Sequence, residues 1–241
     1  EVSKTPAELG IPFDQYFIET SDGCRLSAWH MRPSDPLGSI IYFHGNGGNL
    51  GILNEIFDLL FRFGLEVLAV DYRGYGWSSG TPSEKGLYQD TLATVTYFHS
   101  HLRDSELPLL YWGRSLGSCF AAYAASQVPP DGLILETAFA SKASLVKYYP
   151  QFRAFYPFSR CRLETLRYLK DHLFPVLVIH GDRDRTIPSE EGRALFEGLT
   201  RPKEFYCVKG ADHVNVHRLD SASYMRRVLQ FVKQVKPSLK H

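Results

Sequence analysis

The 241-residue sequence predicts an α/β fold, a parallel β-sheet covered by helices on both faces, within a single domain spanning 1–241. Three observations predict it. Six short apolar runs, rich in β-branched and aromatic residues, recur from Ser39 onward; stretches of helical character separate them; and 44% hydrophobic content at this length supports one core without demanding two.

In chain order, "YFIETSD" (Tyr16–Asp22) and "RLSAWHMRP" (Arg25–Pro33) flank Gly23 and read as an antiparallel hairpin. The six runs follow: "SIIYFHG", "LEVLAVDY", "LPLLYWG", "GLILET", "PVLVIHG" and "KEFYCVKG". Between the second and third, Thr81-Pro82-Ser83-Glu84 offers an N-cap threonine, a proline at the first helical position and a glutamate at the third. This capping box opens a helix expected to run to about Leu102. After the third run, "SLGSCFAAYAASQ" continues at once as a helix of small and apolar residues.

One interval breaks the rhythm. Residues 142–174, between "GLILET" and "PVLVIHG", are longer than a crossover helix requires. They hold Tyr148, Tyr149, Phe152, Phe155, Tyr156 and Phe158, and seven basic residues against two acidic, which predicts a small lid insertion. The alternative is an ordinary crossover with an aromatic-packed entry.

Composition excludes several function classes. Lys and Arg number 27 against 26 for Asp and Glu, so no global basic field points to nucleic acid, and a small-molecule partner is expected. Cys24, Cys119, Cys161 and Cys207 lack any C-x-x-C spacing, which reads as free thiols and no metal site. No apolar run reaches the roughly 18 residues of a membrane span. The sequence starts at Glu1, not Met, and a preceding signal or anchor is expected to be missing from it; the expected location is cytoplasmic or peripheral to a membrane.

The chemistry-bearing motif is "GRSLG", Gly113 to Gly117, which matches the G-x-S-x-G pattern of a nucleophile elbow. A second match, "GWSSG" at Gly76 to Gly80, lacks a strand running into it and a helix leaving it, so Ser78 reads as a loop residue. Ser115 has both flanks. A serine hydroxyl needs a base and an orienting carboxylate, which in parallel-sheet hydrolases follow it in the order acid, then histidine. His213 stands just past the last strand; Asp182 and Asp184 follow "VLVIHG", and Glu136 ends "LILE", so three acids compete on position. His217 reads as the start of the final helix, and His44 and His180 as packing residues at strand ends. An oxyanion would meet the amide of Leu116 and a second donor from "HGNGGN", His44 to Asn49. That loop is not a dinucleotide loop, because G-x-G-x-x-G from Gly45 requires glycine where Leu50 stands.

The ordered set "HGNGGN", "DYRGYGWSSGTPSEKGL", "GRSLGS", "LETAF", "HGDRD" and "GADH" resembles the alpha/beta-hydrolase superfamily, in particular its small serine hydrolases with an H-G-N-x-G-N loop. The resemblance extends from about Tyr16 to His217. It implies an eight-stranded, mostly parallel sheet with an antiparallel second strand, and no cofactor. It also implies Asp184 as the acid, from H-G-x-x-D, His213 as the base, and the amides of Asn46 and Leu116 as oxyanion donors. "DYRGYG" recurs in the group without a catalytic role, and Asp212 departs from its pattern, where glycine is frequent. The expected activity is hydrolysis of carboxylic esters or thioesters of acyl chains, with possible contact to a membrane surface. The alternatives are a non-catalytic binding module of this fold or a peptidase, although such peptidases usually carry a larger cap than this insertion.

Overall fold

In the computed structural model, which describes residues 2, 4–153, 161–200, 202–235 and 237, the apolar runs form one eight-stranded sheet. Its strands are β1 (Asp14–Glu19), β2 (Arg25–Met31), β3 (Gly38–Phe43), β4 (Leu65–Val70), β5 (Leu109–Arg114), β6 (Gly132–Glu136), β7 (Val176–Gly181) and β8 (Lys203–Val208). Their order is β1-β2-β4-β3-β5-β6-β7-β8. β2 runs antiparallel to both β1 and β4, and every other neighbouring pair is parallel. The expected eight-stranded sheet with an antiparallel second strand is therefore the observed one.

Eight helices are described: α1 (Asn54–Arg62), α2 (Glu84–His101), α3 (Gly117–Gln127), α4 (Lys142–Leu145), α5 (Pro150–Arg153), α6 (Thr165–Tyr168), α7 (Ser189–Gly198) and α8 (Ser221–Gln234). The alternation of side chains along each strand sorts them into two layers. Ile40, Tyr42, Leu110, Trp112 and Ile134 face α1 and α8, packing on Phe57, Val228 and Phe231. Ile41, Phe43, Tyr111, Leu133 and Leu135 face α2, α3 and α7, packing on Phe98, Phe120 and Leu195. Both faces are buried, which is why the central strands read as unbroken apolar runs.

One local expectation is corrected. The N-cap of α2 is Ser83, not Thr81: the Ser83 hydroxyl accepts from the Gly86 amide at 3.1 Å, and the helix starts at Glu84. Gly80, at φ 83°, turns the chain so that Thr81 and Pro82 precede the helix. Glu84 is thereby freed for another task. Its carboxylate accepts from the amides of Arg162 (2.7 Å) and Leu163 (2.9 Å) and from the Tyr88 hydroxyl (2.8 Å).

Those bonds fix the 142–174 insertion at Arg162 and Leu163. Its start is tied to the same point, because the Lys142 amide donates to the carbonyls of Arg162 and Leu163, and the Leu166 amide to Ala140. Ser141 caps α4, and Ser144 donates to the buried Glu191 at 2.6 Å. Of the expected lid aromatics, Phe155, Tyr156 and Phe158 lie outside the described residues. Tyr148 is 41% exposed, whereas Tyr149 donates to the carbonyls of Arg185 and Thr186 in the loop after β7. The four cysteines are free thiols. Among the described residues no helix is long and apolar enough to cross a membrane.

The order reverses at β3, whose parallel neighbours β4 and β5 lie on opposite sides. A crevice outside the carboxyl ends of strands at such a reversal is where open α/β sheets hold their ligands. The loops after β3 and β5 meet there, joined by those after β7 and β8.

Candidate active site

β5 ends at Arg114 and α3 begins at Gly117, so the turn between them is two residues long. Ser115 occupies it at φ 52°, a left-handed conformation that is strained for a residue with a side chain. Such a conformation costs on the order of 1–3 kcal/mol and persists only where the surroundings impose it. Here the Ser115 amide donates to the Glu136 carbonyl at 2.9 Å, and Ser118 donates from its hydroxyl back to the Ser115 carbonyl at 2.6 Å.

Glycine at 117 is required by close approach. A Cβ there would strike the carbonyl oxygens of Phe43 and His44, which are backbone and cannot step aside. Gly117→Ala should therefore lose about 1–3 kcal/mol of stability through overpacking. For a chain of this size that lowers Tm by roughly 3–10 °C, measurable by calorimetry. An unchanged Tm would mean that the elbow and the loop after β3 are not in contact.

Opposite the turn stands His213. Its Nε2 lies 3.1 Å from Ser115 Oγ, and its Nδ1 lies 2.7 Å from Asp184 Oδ2. With the proton on Nδ1, the ring donates to Asp184 and turns the Nε2 lone pair to the hydroxyl. The loop carrying His213 is a tight turn: Asp212 Oδ1 accepts from the amides of Val214 (2.9 Å) and Asn215 (3.0 Å), and Asn215 Oδ1 accepts from the Asp212 amide. That turn gives the aspartate before the histidine a structural job.

Of the three competing carboxylates, only Asp184 meets His213. It is buried, and its second oxygen accepts from the amides of Thr186 and Ile187, both at 2.8 Å. Burial alone would push its carboxyl up, but hydrogen bonds from His180, His213 and the Ile187 amide outweigh that and hold it well below the usual carboxylate range. His180, completely buried, approaches the same oxygen as His213 at 3.4 Å and bonds the Ile187 carbonyl at 2.9 Å, so it packs the acid's turn from behind. Asp182 is exposed and takes the Gly210 amide at 2.6 Å. Glu136 is buried beneath the elbow, accepting from the Tyr224 hydroxyl at 2.5 Å, with Arg114 Nε 3.3 Å from its other oxygen. Ser78 is occupied elsewhere: its hydroxyl donates to the Asp71 carbonyl at 2.6 Å and accepts from the Ser27 amide at 2.8 Å.

The loop after β3 lies against the elbow, since a Cβ on Gly45 would sit 3.2 Å from Ser115 Cβ. Among the described residues, the amides of Leu116 and Asn46 have no acceptor within the protein. The "DYRGYG" loop buttresses this one, a role the sequence does not disclose. Asp71 Oδ1 accepts from the Leu50 amide (3.0 Å), Tyr72 donates to the His44 carbonyl (3.0 Å) and Tyr75 to the Asn46 side chain (2.7 Å). Arg73 in turn fixes that loop to Asp90 of α2 and to Asp22 in the β1–β2 turn. The other residue missed is Arg114, whose guanidinium donates to the carbonyls of His213 (3.0 Å) and Val214 (3.3 Å). A charged residue ending a buried strand is the signal that marked it.

Comparison with known proteins follows the same line. The family model described as "Serine aminopeptidase, S33" matches residues 34–156. The uncharacterized membrane protein YNL320W of Saccharomyces cerevisiae is 33% identical over 208 residues, which cover 80% of this chain and 70% of that protein. Lysophosphatidylserine lipase ABHD12 of Rattus norvegicus is 29% identical over 242 residues, 84% of this chain and 60% of the lipase. Among solved structures, the Pyrococcus furiosus esterase Pf2001 superposes with a TM-score of 0.81 over 96% of this chain and 94% of that one, at 21% identity, a likeness of fold.

Proposed function

This chain belongs to the alpha/beta-hydrolase superfamily, and from that membership we propose that it is a serine hydrolase cleaving carboxylic esters or thioesters of acyl chains, with Ser115 as nucleophile. One observation carries the proposal: the hydrogen-bonded line from Ser115 through His213 to Asp184, beginning at a strained turn. The family's esterase and lipase members support the ester class.

In this reading Ser115 Oγ attacks the substrate carbonyl while His213 Nε2 takes its proton. Asp184 keeps the ring oriented and stabilises the imidazolium. The negative charge on the carbonyl oxygen falls to the amides of Leu116 and Asn46, each donor lowering the barrier by about 3 kcal/mol. Collapse breaks the bond to the alcohol or thiol, which leaves with the proton from Nε2. Water, deprotonated by the same nitrogen, then attacks the acyl-serine and releases the carboxylic acid. No cofactor or metal enters these steps.

The insertion 142–174 is proposed as a lid over the acyl group, supported by the contact of Tyr149 with the turn that carries Asp184. A covered acyl chain gains up to about 0.8 kcal/mol per buried methylene. Across p-nitrophenyl esters of graded length, kcat/KM should therefore rise by about tenfold or more from acetyl to hexanoyl. Its basic excess further supports contact with a lipid surface, so vesicles containing anionic lipid should bind better than neutral ones, by a margin that shrinks as salt rises. A preference for acetyl esters with no difference between vesicles would reduce the insertion to a crossover.

The description of the matching family model favours a second reading, an aminopeptidase. Fluorophosphonate labelling followed by a panel of acyl esters, acyl thioesters and aminoacyl p-nitroanilides separates the readings. Turnover confined to the anilides would replace the first with the second. Neither labelling nor turnover would leave a binding module.

A further inference from the structure

Arg114 fills the variable position of "GRSLG", next to the proposed nucleophile, and its side chain, only 12% exposed, is engaged with the loop after β8 and with Glu136. One end of its guanidinium spans the carbonyls of His213 and Val214, and Nε faces Glu136, itself 1% exposed. Glu136 receives the Tyr224 hydroxyl from α8 on its other oxygen, and its backbone carbonyl receives the Ser115 amide. The connection is thus closed. The strand end bearing the serine, the neighbouring strand end and the loop bearing the histidine are tied through one planar cation.

Stability does not explain so buried an ion pair. Taking two charges out of water costs several kcal/mol, and apolar residues of similar volume often serve a fold as well or better. What an apolar pair cannot supply is direction. Both bonds leave one nitrogen, Nη2, whose N–H groups are held in the guanidinium plane, so they fix the angle as well as the distance of the His213 backbone relative to the turn that holds Ser115. Resting on the reading of Ser115 and His213 above, we infer that Arg114 is a positioning residue: it clamps the loop of the general base to the nucleophile elbow, with Glu136 bracing its guanidinium. Its effect is on the alignment of Nε2 with Oγ in the transition state, not on substrate binding.

The test uses the full chain in two variants. Arg114→Met combined with Glu136→Gln removes the pair without leaving a buried charge alone. Its kcat should fall about 10- to 100-fold, the cost of misplacing a reacting group by about 1 Å, with KM within about twofold. The rate of fluorophosphonate labelling should fall in parallel, and Tm should stay level or rise. Arg114→Lys keeps a charge but has one nitrogen where the guanidinium uses two, Nη2 for the carbonyls and Nε toward Glu136, so it cannot hold both sides in one plane, and its kcat should fall between. A wild-type kcat in either folded variant, or a loss residing in KM, overturns the inference, as does a Tm loss with kcat intact. If the double variant does not fold, Arg114→Lys alone decides by the same criteria. Ser115→Ala separates the two layers: activity surviving there defeats the nucleophile itself, while activity lost there but retained in both Arg114 variants defeats only the clamp.

Discussion

If Ser115 is the nucleophile proposed above, Ser115→Ala should abolish fluorophosphonate labelling and lower kcat/KM by about 10⁴- to 10⁶-fold, while Ser78→Ala should leave both in place. The magnitude is that of removing a nucleophile that acts as a unit with its base. The contrast between the serines comes from their surroundings. Ser115 sits on a two-residue turn with His213 at 3.1 Å, whereas the Ser78 hydroxyl is engaged by two backbone groups and has no base beside it. Losing those bonds costs Ser78→Ala about 1 kcal/mol of stability and no chemistry. The measurement is active-site titration with a tagged fluorophosphonate, followed by turnover at equal folded fraction. Labelling that survives in Ser115→Ala and disappears in Ser78→Ala reverses the assignment.

With Asp184 as the proposed acid, Asp184→Asn should lower kcat by about 10⁴-fold, because an amide in place of the carboxylate favours the wrong tautomer of the imidazole. Asp182→Asn stays near wild type, since an asparagine oxygen still accepts the Gly210 amide. Glu136→Gln falls between, acting only through Arg114. If Glu136→Gln were the worst of the three, the acid would belong to the strand before. A second readout follows from the depressed carboxyl of Asp184. Such a group adds stability that is fully present above its unfolded value, near pH 4, and is lost as pH falls through that value toward the lower folded one. The stability gap between wild type and Asp184→Asn should therefore shrink steadily as denaturation is followed from about pH 5 down to about pH 2. A gap independent of pH would show that the carboxyl is not held ionised by its partners.

Much of this was legible in the sequence for a physical reason. β3 to β7 are buried on both faces, so they read as short, nearly continuous apolar runs, told from buried helix by their length of five or six residues and their β-branched content. The elbow was legible because its glycines stand where backbone meets backbone. The acid was not decidable from position: Asp182 and Asp184 are two residues apart, and which one turns inward depends on Asp184 capping the amides of Thr186 and Ile187. Family pattern pointed to Asp184, the carboxylate that lies 2.7 Å from His213, where spacing left the choice open. The start of α2 was misread by two residues because Thr-Pro-Ser-Glu contains two caps, and Gly80 decides between them. Arg114 was marked only as a charge ending a buried strand, and Tyr75 not at all, because their partners lie 99 and 29 residues away. Local pattern carries no trace of such contacts.

The start of the insertion, Lys142, is bonded to Arg162 and Leu163 farther along it, and Glu84 holds those two residues as well. A segment whose ends are fixed independently of its contents behaves as an exchangeable cassette. Each doubling of the chain between such ends adds only about 0.6 kcal/mol of closure entropy. New length placed after Tyr149 and before Cys161 would keep the contacts of Ser144 and Tyr149 and the junction at Arg162 to Leu163, so what covers the crevice could be redrawn while those anchors stay in place. Transplanting a relative's segment into this seat, with Glu84 and the Lys142 to Leu163 junction retained, becomes a route to new substrate ranges that begins from an intact scaffold.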